Sequence, residues 1–324
     1  MANIYIGAHA NREKTIIKTM ESMTENGGNC LQLFVSNPRS SSIGNIDNYL
    51  EIADDIKRYS AIHDFKIIIH SSYTINLARD FKNGKRAVPI NECHWIQLLI
   101  HELTISHLID SVGVVVHVGK HTTQSPEYGL ENMRIAIVYI IETLQKNEIK
   151  AKIILETPAG QGTELLTNLD DFLAFYNGFS SDQQKYLGIC LDTAHIWAAG
   201  YDICEAYQMI CNKNASDLIV IHLNNSKVAK GGNVDRHAML FDKTGTIPYD
   251  SIKKFIGLCN EKKQSQGHAM QTRQATQTRQ AAQATQSKQV AQAAQTKKCN
   301  AMIILETPSH QYATEIALIK LLAE

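Results

Sequence analysis

The chain has 324 residues, 44% of them hydrophobic, which is enough to bury a large core as one α/β domain or two smaller ones. The stretch MANIYIGAH lacks the basic and apolar segments of an export signal, and no apolar run reaches the roughly 18 residues of a membrane span, so a soluble intracellular protein that is not secreted is expected. A formal net charge of zero argues against a strongly basic footprint but hides an asymmetry: residues 262–298 hold seven Lys or Arg and no Asp or Glu, leaving 25 of the 32 basic residues to face all 32 acidic ones elsewhere.

In chain order, the first apolar run is IYIGAH from Ile4, followed by helical spacing at Ile16, Ile17, Met20 and Met23 and then by CLQLFV from Cys30. FKIIIH begins at Phe65, a second helical pattern occupies Trp95, Leu98, Leu99 and Leu103, and VGVVVH begins at Val112. KIILET from Lys152, LGICLDT from Leu187, LIVIHLN from Leu218 and MIILET from Met302 follow. Such short, nearly continuous, β-branched runs fit parallel strands buried on both faces. Eight of them alternating with helices predict an α/β fold, a single-domain (β/α)8 TIM barrel, with a doubly wound open sheet as the second architecture. The hexapeptide IILETP occurs at Ile153 and again at Ile303, so two strands are expected to end in the same Glu-Thr-Pro step. Seven cysteines without a CxxC pair read as reduced thiols serving as small buried hydrophobes.

Between residues 271 and 295 glutamine occupies every third position, with Ala, Thr, Ser, Val, Lys and Arg between. No large apolar side chain is there to build a core. Residues 1–261 and 299–324 are therefore expected to form one barrel domain, and 262–298 a Gln-rich basic insertion without fixed structure between the seventh helix and eighth strand.

Active sites of such barrels lie at the C-terminal strand ends. Those ends here carry His9, residues 36–39, His70, His117, Glu156, Asp192 with His195, His222 and Glu306, while Asp235 and His237 follow the seventh strand in GGNVDRH. Imidazoles and carboxylates converging on one rim form the donor set that zinc prefers. Each residue alone has an ordinary structural reading, a histidine satisfied by a backbone carbonyl or a carboxylate capping the next helix. Together they are harder to explain without cations, because unpaired buried carboxylates repel one another.

The ordered motifs HSSY at 70, ETPAGQG at 156, LDTAH at 191, HLNNSK at 222, VDRH at 234 and LETP at 305 resemble the signature of the endonuclease IV family, over nearly the whole chain outside the insertion. The resemblance implies an apurinic/apyrimidinic (AP) endonuclease of DNA repair that cuts 5′ to abasic sites in double-stranded DNA and leaves a 3′-hydroxyl. It implies three Zn2+ per chain: one on His70, His117 and Glu156, a second on Glu156, Asp192, His222 and Glu306, and a third on His195, Asp235 and His237. Glu156 and Glu306 would be the catalytic carboxylates that orient the attacking hydroxide. Arg39 and Tyr73 match DNA-contacting positions, against the alternative of a surface arginine and a packed rim tyrosine. His9, His121, Asn76, Gln161 and Lys227 match positions that line or support the site. A monomer without an obligate protein partner or membrane contact is expected. The chain departs from the family at Val118, Ala194, Asn225 and Thr74, and AMLFDKTGT follows VDRH in place of a Gly-rich run.

Two rival readings remain at this stage. Glu156, Asp192, His222 and Glu306 also resemble the single-metal site of barrel sugar isomerases or epimerases, which have no need of the other five residues. A non-catalytic binder of damaged DNA would keep the barrel without turnover. The insertion supplies the first prediction, since a connection between a helix and the next strand of a TIM barrel lies on the face opposite the active site. Deleting residues 270–296 should leave the saturated rate unchanged and, at most, weaken DNA binding at low salt with a shallower salt slope. A large fall in saturated rate would contradict the assigned topology.

Overall fold

The computed structural model describes residues 4–260, 301–308 and 312–323, so the expected insertion at 262–298 lies outside the described residues. Each of the eight apolar runs forms a strand: β1 Ile6–His9, β2 Cys30–Phe34, β3 Lys66–His70, β4 Val114–His117, β5 Ile153–Glu156, β6 Leu187–Asp192, β7 Leu218–His222 and β8 Met302–Leu305. Every strand pairs in parallel with its neighbours in sequence, and β8 returns to β1 with Ile6 opposite Ile303. The sheet is thus closed, which excludes the doubly wound alternative.

The principal helices are α1 Ile16–Glu25, α2 Ala53–His63, α3 His94–Leu108, α4 Pro126–Lys146, α5 Leu169–Asn177, α6 Ile203–Asn214, α7 Tyr249–Asn260 and α8 Tyr312–Ala323. Helix α1 begins where Thr15 accepts a hydrogen bond from the Lys18 amide, and it buries Ile16, Met20 and Met23. Helix α3 buries Trp95, Leu98, Leu99 and Leu103, as their spacing predicts. None of the helices in the described residues is long and apolar enough to cross a membrane. Cys30, Cys93, Cys190 and Cys204 are free thiols, but Cys211 is disulfide-bonded, which corrects the expectation of reduced thiols throughout.

Strand side chains alternate, and the alternation makes two cores. Ile153 and Leu155 of β5 pack outward under the helices, whereas Ile154 joins Cys30, Ile68, Val115, Cys190, Val220 and Ile304 in a separate cluster inside the barrel. Two residues further along each strand, the same inward face presents Gln32, His70, His117, Glu156, Asp192, His222 and Glu306. A one-residue slip of register would send all of them outward.

Gly7 shows how tightly the barrel closes. It pairs with Cys30 in β2, and a Cβ at this position would stand 1.7 Å from the Cys30 carbonyl oxygen. That oxygen is backbone and cannot rotate away. Gly7→Ala should cost at least about 1–3 kcal/mol of stability, read from urea denaturation. A wild-type midpoint would show that β1 and β2 approach less closely than this.

Candidate metal centre

The predicted residues converge. His70, His117 and Glu156 place one donor atom each within 4.8 Å of one another, as do Glu156, Asp192, His222 and Glu306, and as do Asp192, His195 and His237. Asp235 completes the third group, with one oxygen 3.4 Å from His195 Nε2 and the other 3.1 Å from His237 Nε2. His195 enters from a short helix, Thr193–Ala198, and Asp235 and His237 from the loop after β7, where His237 pairs with Ser226 in a small antiparallel ladder. Asp192 has both of the roles open to a strand-end carboxylate. One oxygen caps the short helix at the His195 amide, 2.8 Å away, while the other faces the cluster.

Each histidine in these groups except His117 has one nitrogen tied down and one aimed inward. His70 Nδ1 donates to the Ser71 carbonyl at 2.9 Å, His195 Nδ1 to the Thr157 carbonyl at 2.9 Å, and His237 Nδ1 to the Glu306 carbonyl at 3.3 Å. A carbonyl can only accept, so the opposite nitrogen is left as a lone-pair donor in the neutral ring. His222 is reversed: Nε2 donates to Gln32 Oε1 at 2.9 Å, and Nδ1 lies 2.8 Å from Glu156 and 3.2 Å from Glu306. His117 Nε2 is 3.0 Å from Glu156 Oε2.

The electrostatics record a shortage of positive charge. Glu156, Asp192 and His222 are 1%, 0% and 0% exposed, so water offers them almost no screening. Burial pulls His222 and His237 down, but carboxylates outweigh it, Glu306 and Glu156 for the first, Asp192 and Asp235 for the second, and both imidazoles rise to about 9. His195 is likewise buried yet held well above its ordinary value by Asp192, Asp235 and Glu156. Burial raises Glu156 and Glu306, yet His117 and His222 hold Glu156 well below the usual range, and His222 and His9 hold Glu306 below it. Protons on imidazoles here do what a divalent cation would do with more charge. Among the described residues, Glu156 Oε2, His195 Nε2 and His237 Nε2 are buried and meet neighbouring imidazoles and carboxylates of the cluster without a well-aligned hydrogen bond. These orphaned donor atoms, aimed inward from a carboxylate and imidazole shell, fit metal ions.

Sequence reasoning passed over Gln32. It is fully buried, its Oε1 accepts from His222, and its Nε2 donates to Glu306 Oε1 at 2.6 Å. One amide therefore fixes the ring of one candidate ligand and the carboxylate of another. The signal was present in CLQLF, where the single polar residue of a buried strand lies on the inward face. His9 joins the same network, 3.0 Å from Glu306. Asn224 also went unremarked: it donates to Asp192 Oδ2 at 2.9 Å and accepts from the Glu306 amide at 2.8 Å.

Above the cluster opens a cavity of about 440 Å3, lined in part by His70, Tyr73, His117, Lys120, Asp235 and Arg236. Tyr73 is 57% exposed and stands edge-on to Phe34 and His70, so the packed and the exposed readings both describe it. Arg39 is exposed on the loop after β2 and does not line this cavity. Gln161 and Asn76 do line it; Gln161 accepts from the Asp235 amide at 2.9 Å, and Asn76 bonds both backbone groups of Lys120. His121 donates to the Gln124 carbonyl at 2.7 Å, a loop role outside the cavity, and Lys227 also falls outside it. Asn225 explains one departure. Its amide nitrogen donates to the carbonyls of Leu240 and Ile247, which an aspartate could not do, and so pins the altered loop after His237.

A closed parallel barrel with carboxylates and imidazoles gathered at its C-terminal rim places the chain in a broad class of metal-site barrels. Consistently, residues 21–258 match the family model described as xylose isomerase-like TIM barrel. A protein named probable endonuclease 4 from Haloquadratum walsbyi is 32% identical over 259 residues, covering 78% of this chain and 86% of the relative. Among solved structures, endonuclease IV from Thermus thermophilus superposes with a TM-score of 0.65 at 20% identity, covering 98% of both chains. A D-tagatose 3-epimerase-like protein superposes with a TM-score of 0.61 at 17% identity, covering 98% of this chain and 96% of the other. The two structures share the fold. The 32%-identical relative, covered over most of its length, is what shows the family: this chain belongs to the endonuclease IV family.

Gln32 yields a prediction independent of any substrate. Gln32→Ala should speed the release of a bound divalent metal ion to a chelator by about 10–100-fold, followed by a colorimetric indicator. An unchanged release rate would show that the amide bridge does not hold the centre together.

Proposed function

We propose that this protein is a zinc-dependent AP endonuclease, hydrolysing the phosphodiester 5′ to abasic sites in double-stranded DNA and leaving a 3′-hydroxyl. The observation that carries the reading is the convergence of three donor groups with inward-facing orphan atoms. His70, His117 and Glu156 would hold one Zn2+; Glu156, Asp192, His222 and Glu306 a second; His195, Asp235 and His237 a third. Bound zinc supplies positive charge that makes water acidic enough to yield a nucleophile at neutral pH and neutralises charge on a phosphodiester.

The protein's own residues do the remaining work. Glu156 spans the first two groups and Glu306 lies across from it on His222, so the two carboxylates flank the place where a nucleophile would be oriented. Lys120 and Arg236 at the cavity wall supply charge for the DNA backbone despite the acidic body. Tyr73, and Arg39 on the neighbouring loop, would enter the space left by a missing base. The domain organisation proposed is one barrel formed by residues 1–261 and 299–324 and interrupted in sequence by the Gln-rich residues 262–298, and the protein acts as a soluble monomer in a DNA-containing compartment.

A second reading has one observation in its favour: Glu156, Asp192, His222 and Glu306 would suffice for a single-metal epimerase, and an epimerase-like protein shares the fold. It leaves His70, His117, His195, Asp235 and His237 unexplained. An oligonucleotide duplex with one synthetic abasic site tests both. Nicking by wild type is expected, and no nicking by zinc-loaded protein would overturn the proposal. Glu156→Gln should lower cleavage by at least about 10³-fold with a much smaller loss of DNA affinity. Arg39→Ala should instead lower the preference for abasic over intact duplex by about 10-fold, or about 1.4 kcal/mol; an unchanged ratio would remove Arg39 from the recognition surface.

A further inference from the structure

Glu102, on α3, is fully buried and has no part in the metal centre or in the reaction proposed for it. Its Oε1 accepts a hydrogen bond from the Ser72 amide at 3.2 Å. Among the described residues its Oε2 and the Ser36 hydroxyl are each buried without a well-aligned hydrogen bond, and Ser36 is the side chain that acts on the carboxyl as a hydrogen-bonding neighbour. Buried, unsatisfied polar groups are costly and in native proteins call for an explanation.

The positions of Ser36 and Ser72 supply it. Ser36 lies at the root of the loop carrying Arg39, and Ser72 immediately precedes Tyr73. The two loops are stitched together above Glu102. The Tyr73 amide donates to the Pro38 carbonyl at 3.0 Å, and Ser72 Oγ lies 3.2 Å from the carbonyls of both Pro38 and Ser40. Thr74 adds a hydroxyl 2.9 Å from Ser72 Oγ.

We propose that Glu102 is a positioning residue for substrate recognition, its carboxyl tying the roots of the two loops together from beneath and so setting Arg39 relative to Tyr73. The inference rests on the reading of those two residues as DNA contacts. Burial raises the carboxyl to about 8, so at neutral pH it carries a proton. A protonated carboxyl can accept from the Ser72 amide and donate to the Ser36 hydroxyl at once, whereas a carboxylate could only accept. Glutamine offers the same acceptor and a donor without titrating, so Glu102→Gln mimics the tie and Glu102→Ala removes it.

The experiment compares full-length wild type, Glu102→Ala and Glu102→Gln by amide hydrogen exchange of residues 36–42 and 71–74, and by the ratio of affinities for abasic-analogue and intact duplex. Glu102→Ala should speed exchange in both loops and lower the ratio about 10-fold, with Glu102→Gln restoring both. Unchanged exchange in Glu102→Ala, or a Glu102→Gln protein as loose as Glu102→Ala, overturns the proposal. Loosened loops with an unchanged ratio also overturn it; if Arg39→Ala and Tyr73→Ala then leave the ratio unchanged too, the fault lies with the assigned DNA contacts and not with the tie. Should Glu102→Ala not fold, Ser36→Ala is expected to speed exchange in residues 36–42, and normal exchange there overturns the proposal equally.

Discussion

Glu156, Asp192 and Glu306 bring carboxylates together around one imidazole, His222, at the mouth of a dry barrel. Charge of one sign concentrated away from water raises the energy of the folded state unless the opposite charge is supplied locally. Here the supply is arranged at three levels. Histidines surround the carboxylates, backbone carbonyls and one glutamine amide fix which nitrogen of each tied ring faces inward, and among the described residues three donor atoms are left without a well-aligned hydrogen bond. Much else in the upper barrel serves this arrangement, including the Asn224 amide on Asp192 and Glu306 and the Gln161 side chain that holds the Asp235 loop in place.

The register of the strands is what lets a short sequence build such a cluster. Because side chains alternate, a layer of Ile, Val and Cys inside the barrel guarantees that the residue two positions later also points inward, just above it. The strand ends could therefore be read directly: His70, His117, Glu156, Asp192, His222 and Glu306 each close an apolar run, and the structure gathers all six. His195, Asp235 and His237 do not end strands; they were legible beside the strand ends, and only the family motifs grouped them as one set of ligands. Gln32 escaped because it sits in the middle of a written motif, where a polar residue looks like an interruption of the strand. Glu102 escaped for a different reason. Its helix is apolar on nearly all sides, and nothing local in IHELT distinguishes a buried carboxyl from a solvated one. Asn225 was read only as a departure from the family, although its value lies in the two amide protons it donates.

The same fold serves proteins of quite different chemistry, as the similarity to an epimerase-like structure shows. The quartet Glu156, Asp192, His222 and Glu306 comes from β5 to β8 and is compatible with either use. What separates the readings is added on both sides of it: two histidines from β3 and β4, and a histidine from the short helix joined by two residues of the loop after β7. These additions widen a single-ion site into a ridge of donors along the cavity. A phosphodiester has several oxygens over which charge must be balanced, and an extended site suits it better than a point charge.

The most direct test is to strip the protein of metal, restore zinc in measured increments, and follow zinc bound per chain together with incision of a duplex bearing one abasic site. If the three donor groups act as one centre, incision should appear as occupancy passes from two to three ions per chain. Full incision at a single ion per chain would contradict the account.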